Sequence, residues 1–301
     1  MNKGYAWILL AGTAWGSIGV FARRLLDLGL SPLDVSWLRG VVSLLGLVPL
    51  VLCRQGGWPR LAREDLKLFA AFGLINGALY NILYFTAVDK AGVTTAVILL
   101  YTAPAFATLF ARLAFAEPLS PGKAFAVALS LAGCFLVARG YNLTALRLNL
   151  AGVLAGLGAG VTYGLYGIFG KKARARYPAE TTVLYCTLFG TLFLTLLHRP
   201  LALVQHAHGP AFWGPALSLG LWGSLVPWVA YTTGLGLVEV GRAAVVASVE
   251  PVVGVILGLV LLGERLDLLQ TAGMALVLAA VVFAQAPAPS RPAGSKVLAE
   301  K

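Results

Sequence analysis

Glu250 stands immediately before Pro251, about halfway along one of the chain's long apolar stretches. A carboxylate at membrane depth is costly to keep charged, and such groups tend to mark the path of an ion or solute. Two kinds of chemistry suit it. It can act as counterion to a solute's ammonium group, or it can take up and release a proton during a transport cycle. The alternative is a protonated or paired carboxyl that only stabilises packing. Arg39, within another apolar stretch, is its distant complement and reads as a structural or interfacial charge.

A set of aromatic and amide residues falls at similar depth. Asn76, Tyr80 and Tyr84 recur every four residues and share one helical face, with Asn81 beside them. Tyr101, Tyr163, Tyr166, Trp228 and Tyr231 follow in later apolar stretches. Tyrosine and tryptophan at helix ends anchor a protein at the membrane interface, but Tyr101, Tyr163 and Trp228 lie too far inside for that. Buried amides and phenols need hydrogen-bond partners. A cavity with polar and aromatic walls supplies them, and with Glu250 it would bind an aromatic or zwitterionic solute. His198, His206 and His208 fall in one inter-helix loop and read as solvated, without convergent metal ligands. Neither a phosphate-binding glycine loop nor a metalloprotease or serine-hydrolase signature is present, and the apolar stretches contain no histidine. Neither enzyme activity, cofactor nor metal is expected.

The elements that must position these residues are membrane helices. The chain has 301 residues, 59% of them hydrophobic and 12% charged, against about 25% charged in soluble domains. Its mean hydropathy is +0.84. A bilayer core needs about 20 apolar residues per helix. Ten such segments fit, giving an all-α integral membrane fold: Gly4–Ala22, Leu33–Cys53, Leu66–Val88, Gly92–Phe115, Ser120–Ala138, Asn149–Phe169, Ala179–Leu197, Ala211–Leu235, Val238–Leu262 and Asp267–Gln285. Residues 286–301, rich in proline, alanine and serine, read as a disordered tail. Met1–Ala22 reads as a retained first helix, since its apolar run is longer than that of a signal peptide.

With the N-terminus inside, fifteen lysines and arginines fall on the inner side and seven on the outer, Arg39 apart. Both termini are therefore expected to face the cytoplasm, in a multi-pass protein of the inner membrane. The net charge of +11 is then topological, and nucleic acid is not an expected partner; the partners are a small solute and the lipid bilayer. Cys53, Cys134 and Cys186, without CxxC spacing, read as small hydrophobic residues.

The chain is also a duplication. Pro104 precedes Glu117 as Pro251 precedes Glu264, each pair 147 positions apart, and the same offset aligns Gly73 with Gly220, Tyr84 with Tyr231 and Ala96 with Ala243. Residues 1–140 and 149–285 then form two five-helix repeats. Five crossings are an odd number, so the second repeat enters from the opposite side, giving inverted repeats suited to alternating access. Pro104 and Pro251 read as equivalent hinges inside helices four and nine, freeing the carbonyls of Leu100 and Ala247. Arg39, Glu117 and Glu264 read as structural or gating charges. Gly152, Gly156, Gly160 and Gly164 form a ridge that serves packing inside the monomer, or a sliding or dimer face. A monomer and a homodimer are both open.

These features resemble the ten-helix exporters of the EamA type in the drug/metabolite transporter superfamily. The matching residues are Trp15-Gly16, Arg39, the string Ala96…Pro104…Glu117, Tyr163-Gly164, and Ala243…Glu250-Pro251…Gly263-Glu264. The resemblance implies export of amino acids, purines, other metabolites or drugs. It further implies a central cavity lined as in that family's aromatic amino acid exporters, by Tyr80, Tyr84, Tyr101 and Tyr163. Ala103 and Glu250-Pro251 depart from those particular exporters. The expected function is export of amino acids or related amphiphilic metabolites, with multidrug or purine export, and a non-transporting receptor, as alternatives.

Overall fold

A computed structural model describes residues 2–144, 146, 149–197, 203, 207–262 and 266–286. All regular elements among them are helical: α1 (Lys3–Gly16), α2 (Ile18–Asp27), α3 (Pro32–Gln55), α4 (Leu66–Phe72), α5 (Tyr80–Leu100), α6 (Ala103–Phe115), α7 (Pro121–Val137), α8 (Leu150–Arg174), α9 (Ala179–Leu197), α10 (Gly209–Leu217), α11 (Val226–Leu235), α12 (Val240–Ala247), α13 (Glu250–Leu262) and α14 (Leu268–Gln285). A short 3-10 turn covers Arg63–Asp65, and π-helical segments cover Gly73–Leu79 and Ser218–Leu225. Seven helical stretches among the described residues are long and apolar enough to cross a bilayer, and two shorter apolar helices, α6 and α7, accompany them. Local chemistry starts several of these helices. Ser31 and Asp34 form a capping box before Pro32, Asp267 and Gln270 form another, and Ser120 and Asn149 cap α7 and α8.

Two sequence expectations change in detail. No loop separates the third and fourth apolar segments; the helix runs from Arg63 to Leu100, and its backbone departs from helical geometry at Gly92, where φ is +82°. The two prolines do not lie inside continuous helices either. The chain breaks at Tyr101–Thr102 and again at Ser248–Val249, and each proline is the second residue of the helix that restarts. Proline is well suited to a first helical turn, whose amides lack partners in any case. Hydroxyls beside each break bond nearby carbonyls: Thr102 Oγ1 donates to Leu99 O at 2.5 Å, and Ser248 Oγ to Ala244 O at 3.2 Å. Tyr101 and Ser248 are themselves 147 residues apart, so the break belongs to the duplicated unit.

The two halves interlock through glycine. The α8 ridge packs on the first repeat's broken helix, with Gly156 against Leu99, Gly160 against Thr102 and the Leu99 carbonyl, and Gly164 against the backbone at Ala103 and Ala107. In return Gly12 and Gly16 of α1 lie on the second break, against Val249, Val253 and the carbonyls of Ala247 and Glu250. The π segments sit in matching places within two residues, and each packs on the other half: Gly77 meets Gly190 of α9, and Gly220 meets Val42 of α3. The ridge is thus engaged within the monomer. A Cβ at Gly160 would lie 2.6 Å from Thr102 Oγ1 and 2.8 Å from Leu99 O, whereas one at Gly19 would meet nothing within 4 Å. Gly160→Leu is expected to lower stability by about 1–3 kcal/mol or more through overpacking. Gly19→Ala should leave the melting temperature in detergent unchanged.

Candidate functional site

Tyr5 Oη donates to Ala284 O at 3.3 Å, so the start of α1 and the end of α14 meet on one face, the terminal face. A largely buried ionic cluster lies on this face. Glu117, just past α6 and 6% exposed at its side chain, accepts from Lys171 Nζ at 2.9 Å and from the backbone N–H of Val240 at 2.9 Å and of Gly241 at 3.4 Å. The carboxylate therefore caps the N-terminus of α12, where the helix dipole favours an anion. Lys123 Nζ, with its side chain 2% exposed, lies 2.7 Å from Glu239 and 3.6 Å from Glu117. Arg242 joins by pairing with Glu239 at 3.0 Å and donating to Ala284 O. The cluster ties α6, α7 and α8 to the start of α12, and so ties one repeat to the other.

Beside it, Arg176 pairs with Glu64 at 2.6 Å and with Asp65 at 3.1 Å, and Tyr177 Oη donates to Asp65 at 2.7 Å. Hydrogen bonding from Tyr177, followed by Arg176, holds the Asp65 carboxyl below its ordinary range. Glu239 also lies below its ordinary value: partial burial pushes it up, but Lys123 and Arg242 outweigh that. A carboxyl depressed in the folded state stabilises the protein above its unfolded-state pKa and loses that contribution as pH falls through the folded one. The Glu239 contribution is thus present at neutral pH and is lost in acid, as pH falls below the ordinary glutamate range and through the lowered folded-state value. Glu239→Gln is expected to flatten the acid side of a melting-temperature profile in detergent.

Away from the terminal face lie three cavities that share wall residues, two of them along the breaks. A vestibule of about 270 Å3 reaches toward the end where α2 stops and α3 begins; Arg39, Tyr80, Tyr84, Tyr101 and Glu250 are on its walls. A narrower chamber carries Tyr101, Tyr163, Tyr166, Tyr231 and Glu250 together with Pro104. A side pocket carries Arg39, Asn76, Tyr80, Asn81, Tyr166 and Trp228. All ten solute-binding candidates from the sequence, and Arg39 with them, therefore line one or more of these three cavities. Glu250, on the first residue of α13, faces both the vestibule and the chamber, because the break turns it inward.

Not all ten side chains are equally available. Asn81 is spent on structure: its amide donates to Gly77 O at 2.6 Å and accepts from Ser36 Oγ at 3.0 Å, holding α3 to the first π segment. Asn76 Nδ2 donates to the carbonyl of Thr162 in α8. Tyr166 bonds Thr232 at 2.9 Å and stacks on Trp228 with ring centroids 4.1 Å apart. Trp15, which the sequence reading used only as a family landmark, completes the aromatic floor, 4.7 Å from Trp228 and 5.3 Å from Tyr231. Tyr80 stacks between Tyr84 and Tyr163, at 6.1 and 5.7 Å. Arg39 and Glu250 act on one another across the cavity, yet among the described residues they form no ion pair within 4.0 Å. Of the charges expected to be structural or gating, Glu117 belongs to the terminal-face cluster and Arg39 to the cavity; Glu264 lies outside the described residues, as do His198, His206 and the tail beyond Ala286. No group of three or more potential metal ligands occurs among the described residues.

Residues 2–139 and 150–285 each match the EamA-like transporter family. An uncharacterised transporter of Archaeoglobus fulgidus is 29% identical over 94% of this chain and 97% of its own length. The threonine/homoserine exporter RhtA of Salmonella typhimurium is 26% identical over 73% of this chain and 72% of its own. A solved crystal structure, 18% identical, superposes with a TM-score of 0.77 over 94% of this chain and 96% of that one, and shares the fold.

Proposed function

The chain belongs to the EamA-like transporter family, a multi-pass membrane protein, and on that premise we propose that it exports amino acids or closely related small metabolites by alternating access. The observation that carries this reading is the presence of one basic and one acidic side chain, Arg39 and Glu250, on the walls of a single cavity with aromatic sides. Opposite charges across such a space suit a zwitterion. The likeness to a threonine/homoserine exporter supports the same class.

The lysine and arginine bias supports a terminal face in the cytoplasm. The Glu117 cluster is then the closed inner gate and the vestibule opens outward. The two five-helix halves, residues 1–140 and 149–285, act as inverted repeats, and the breaks ahead of Pro104 and Pro251 are the places where they flex. Proton exchange through Glu250 is the coupling that its position suits. The stacked tyrosines favour a second reading, extrusion of flat aromatic drugs.

Flux of labelled amino acids, nucleobases and a cationic dye through proteoliposomes, with and without a pH gradient, tests these readings. Selective movement of amino acids is expected. Movement of the dye alone would favour drug extrusion, and a folded protein that moves none of them would refute transport of these classes.

A further inference from the structure

Five buried side-chain polar atoms among the described residues have no hydrogen-bond partner, and three of them line one place, the side pocket beside the vestibule: Ser43 Oγ, Asn76 Oδ1 and Ser224 Oγ. Ser43 is 1% exposed and Ser224 3%. Leaving a buried polar atom unpaired is costly, so several converging on one pocket mark a place that takes a hydrogen-bonding guest. The pocket belongs to both halves. Ser43 comes from α3, Asn76 from the first π segment and Ser224 from the second.

The size of the guest is bounded. The side pocket holds about 70 Å3, roughly half of an engineered cavity that admits benzene. An indole or phenol does not fit; a chain of two or three heavy atoms does. The chemistry of the guest is bounded as well. Asn76 Oδ1 can only accept, while the two serine hydroxyls both donate and accept. A hydroxyl, which also does both, satisfies this set, and an alkyl group leaves it unpaired. Arg39 lines the pocket and the vestibule alike, and among the described residues its guanidinium bonds no protein acceptor.

Resting on the transport reading, we infer that the side pocket is a subsite for a short hydroxyl-bearing side chain, and that the solute is a small hydroxy amino acid. Its carboxylate lies on Arg39, its ammonium group faces Glu250 across the vestibule, and its hydroxyl enters the pocket among Ser43, Asn76 and Ser224. The aromatic walls then enclose the backbone of the solute, and a bulky aromatic side chain has no place in the subsite.

Threonine and valine, nearly isosteric and differing by a hydroxyl against a methyl, test this directly. Counterflow of each labelled amino acid is measured with the full chain in liposomes. A site built around a hydroxyl rejects the analogue that lacks it, so threonine should move at least about tenfold faster than valine. Ser43→Ala with Ser224→Ala removes two of the three unpaired groups without adding bulk. It should bring the ratio to within about threefold by slowing threonine while leaving valine as fast or faster. Equal rates in the unaltered protein would overturn the inference whatever the variant does. An unchanged ratio in a folded double variant would overturn it too. Movement of phenylalanine or tryptophan in place of both would overturn the subsite alone and leave amino acid transport standing, whereas no movement of any amino acid would remove the reading on which it rests.

Discussion

Solute flux through a Glu250→Gln variant is expected to fall by at least about tenfold, and its response to a pH gradient to disappear, with the melting temperature in detergent nearly unchanged. Glu250 opens α13 directly after the break, and it faces the vestibule on one side and the Tyr101–Tyr163 chamber on the other. Glutamine keeps the shape and removes the charge. A hydrogen bond to a charged partner contributes about 1.5–3 kcal/mol, and each 1.36 kcal/mol is tenfold in rate. Loss of one such contact to a solute ammonium group thus accounts for roughly a ten- to hundredfold drop. Glutamine keeps an oxygen that can accept from Tyr163, and no ion pair within 4.0 Å is broken among the described residues, so the fold should lose little. Initial rates with inward, outward and absent proton gradients separate the two roles. Lost gradient dependence with retained downhill flux identifies a proton site; lost flux under every condition identifies the solute contact. Wild-type behaviour in both would return Glu250 to packing.

Removing the carboxylate at the terminal face should act in the opposite manner, on conformation before chemistry. Glu117 accepts from Lys171, Val240 N and Gly241 N, and it lies 3.6 Å from the buried Lys123. In Glu117→Ala these donors lose their acceptor while the face stays closed, and breaking a buried charge pair costs about 3–5 kcal/mol. Opening that face lets water reach the stranded donors, so the variant should favour the open form. Thr108 lies beneath the cluster, its hydroxyl spent on Pro104 O at 2.8 Å and its side chain against Gly241. A Thr108→Cys reporter should therefore react with a polar maleimide much faster when Glu117 is alanine than when it is present. Equal labelling would mean that the cluster fixes helix ends without gating.

Both sites were visible in the sequence to different degrees, for identifiable reasons. Glu250 stood out because a lone acid in an apolar run is conspicuous, and the register of the duplication located the breaks to within three residues. The Glu117 cluster did not stand out. Lys123, Lys171 and Arg242 count equally well as topological charges at helix ends, and only packing reveals that Lys123 is buried against Glu239. The π segments were illegible as well: Gly73, Gly77, Gly220 and Gly223 are spaced as in any tightly packed membrane helix, and the wider turn becomes evident only where Gly77 meets Gly190. The bond of Asn81 to Ser36 was not legible, because sequence spacing gives no partner and Ser36 lies 45 residues away.

The exchange of glycine faces bears on how the protein is made. Gly12 and Gly16 meet residues 247–253, and the first break meets Gly156, Gly160 and Gly164, so each glycine face packs on the other half. While the second half is still being made, the helices of the first half lack these partners. The N-terminal half alone is therefore expected to be an incompletely packed assembly intermediate until the last helices arrive. A chain truncated near residue 140 should accordingly insert with correct topology and still be cleared by membrane proteases, and co-expression of residues 141–301 should rescue it.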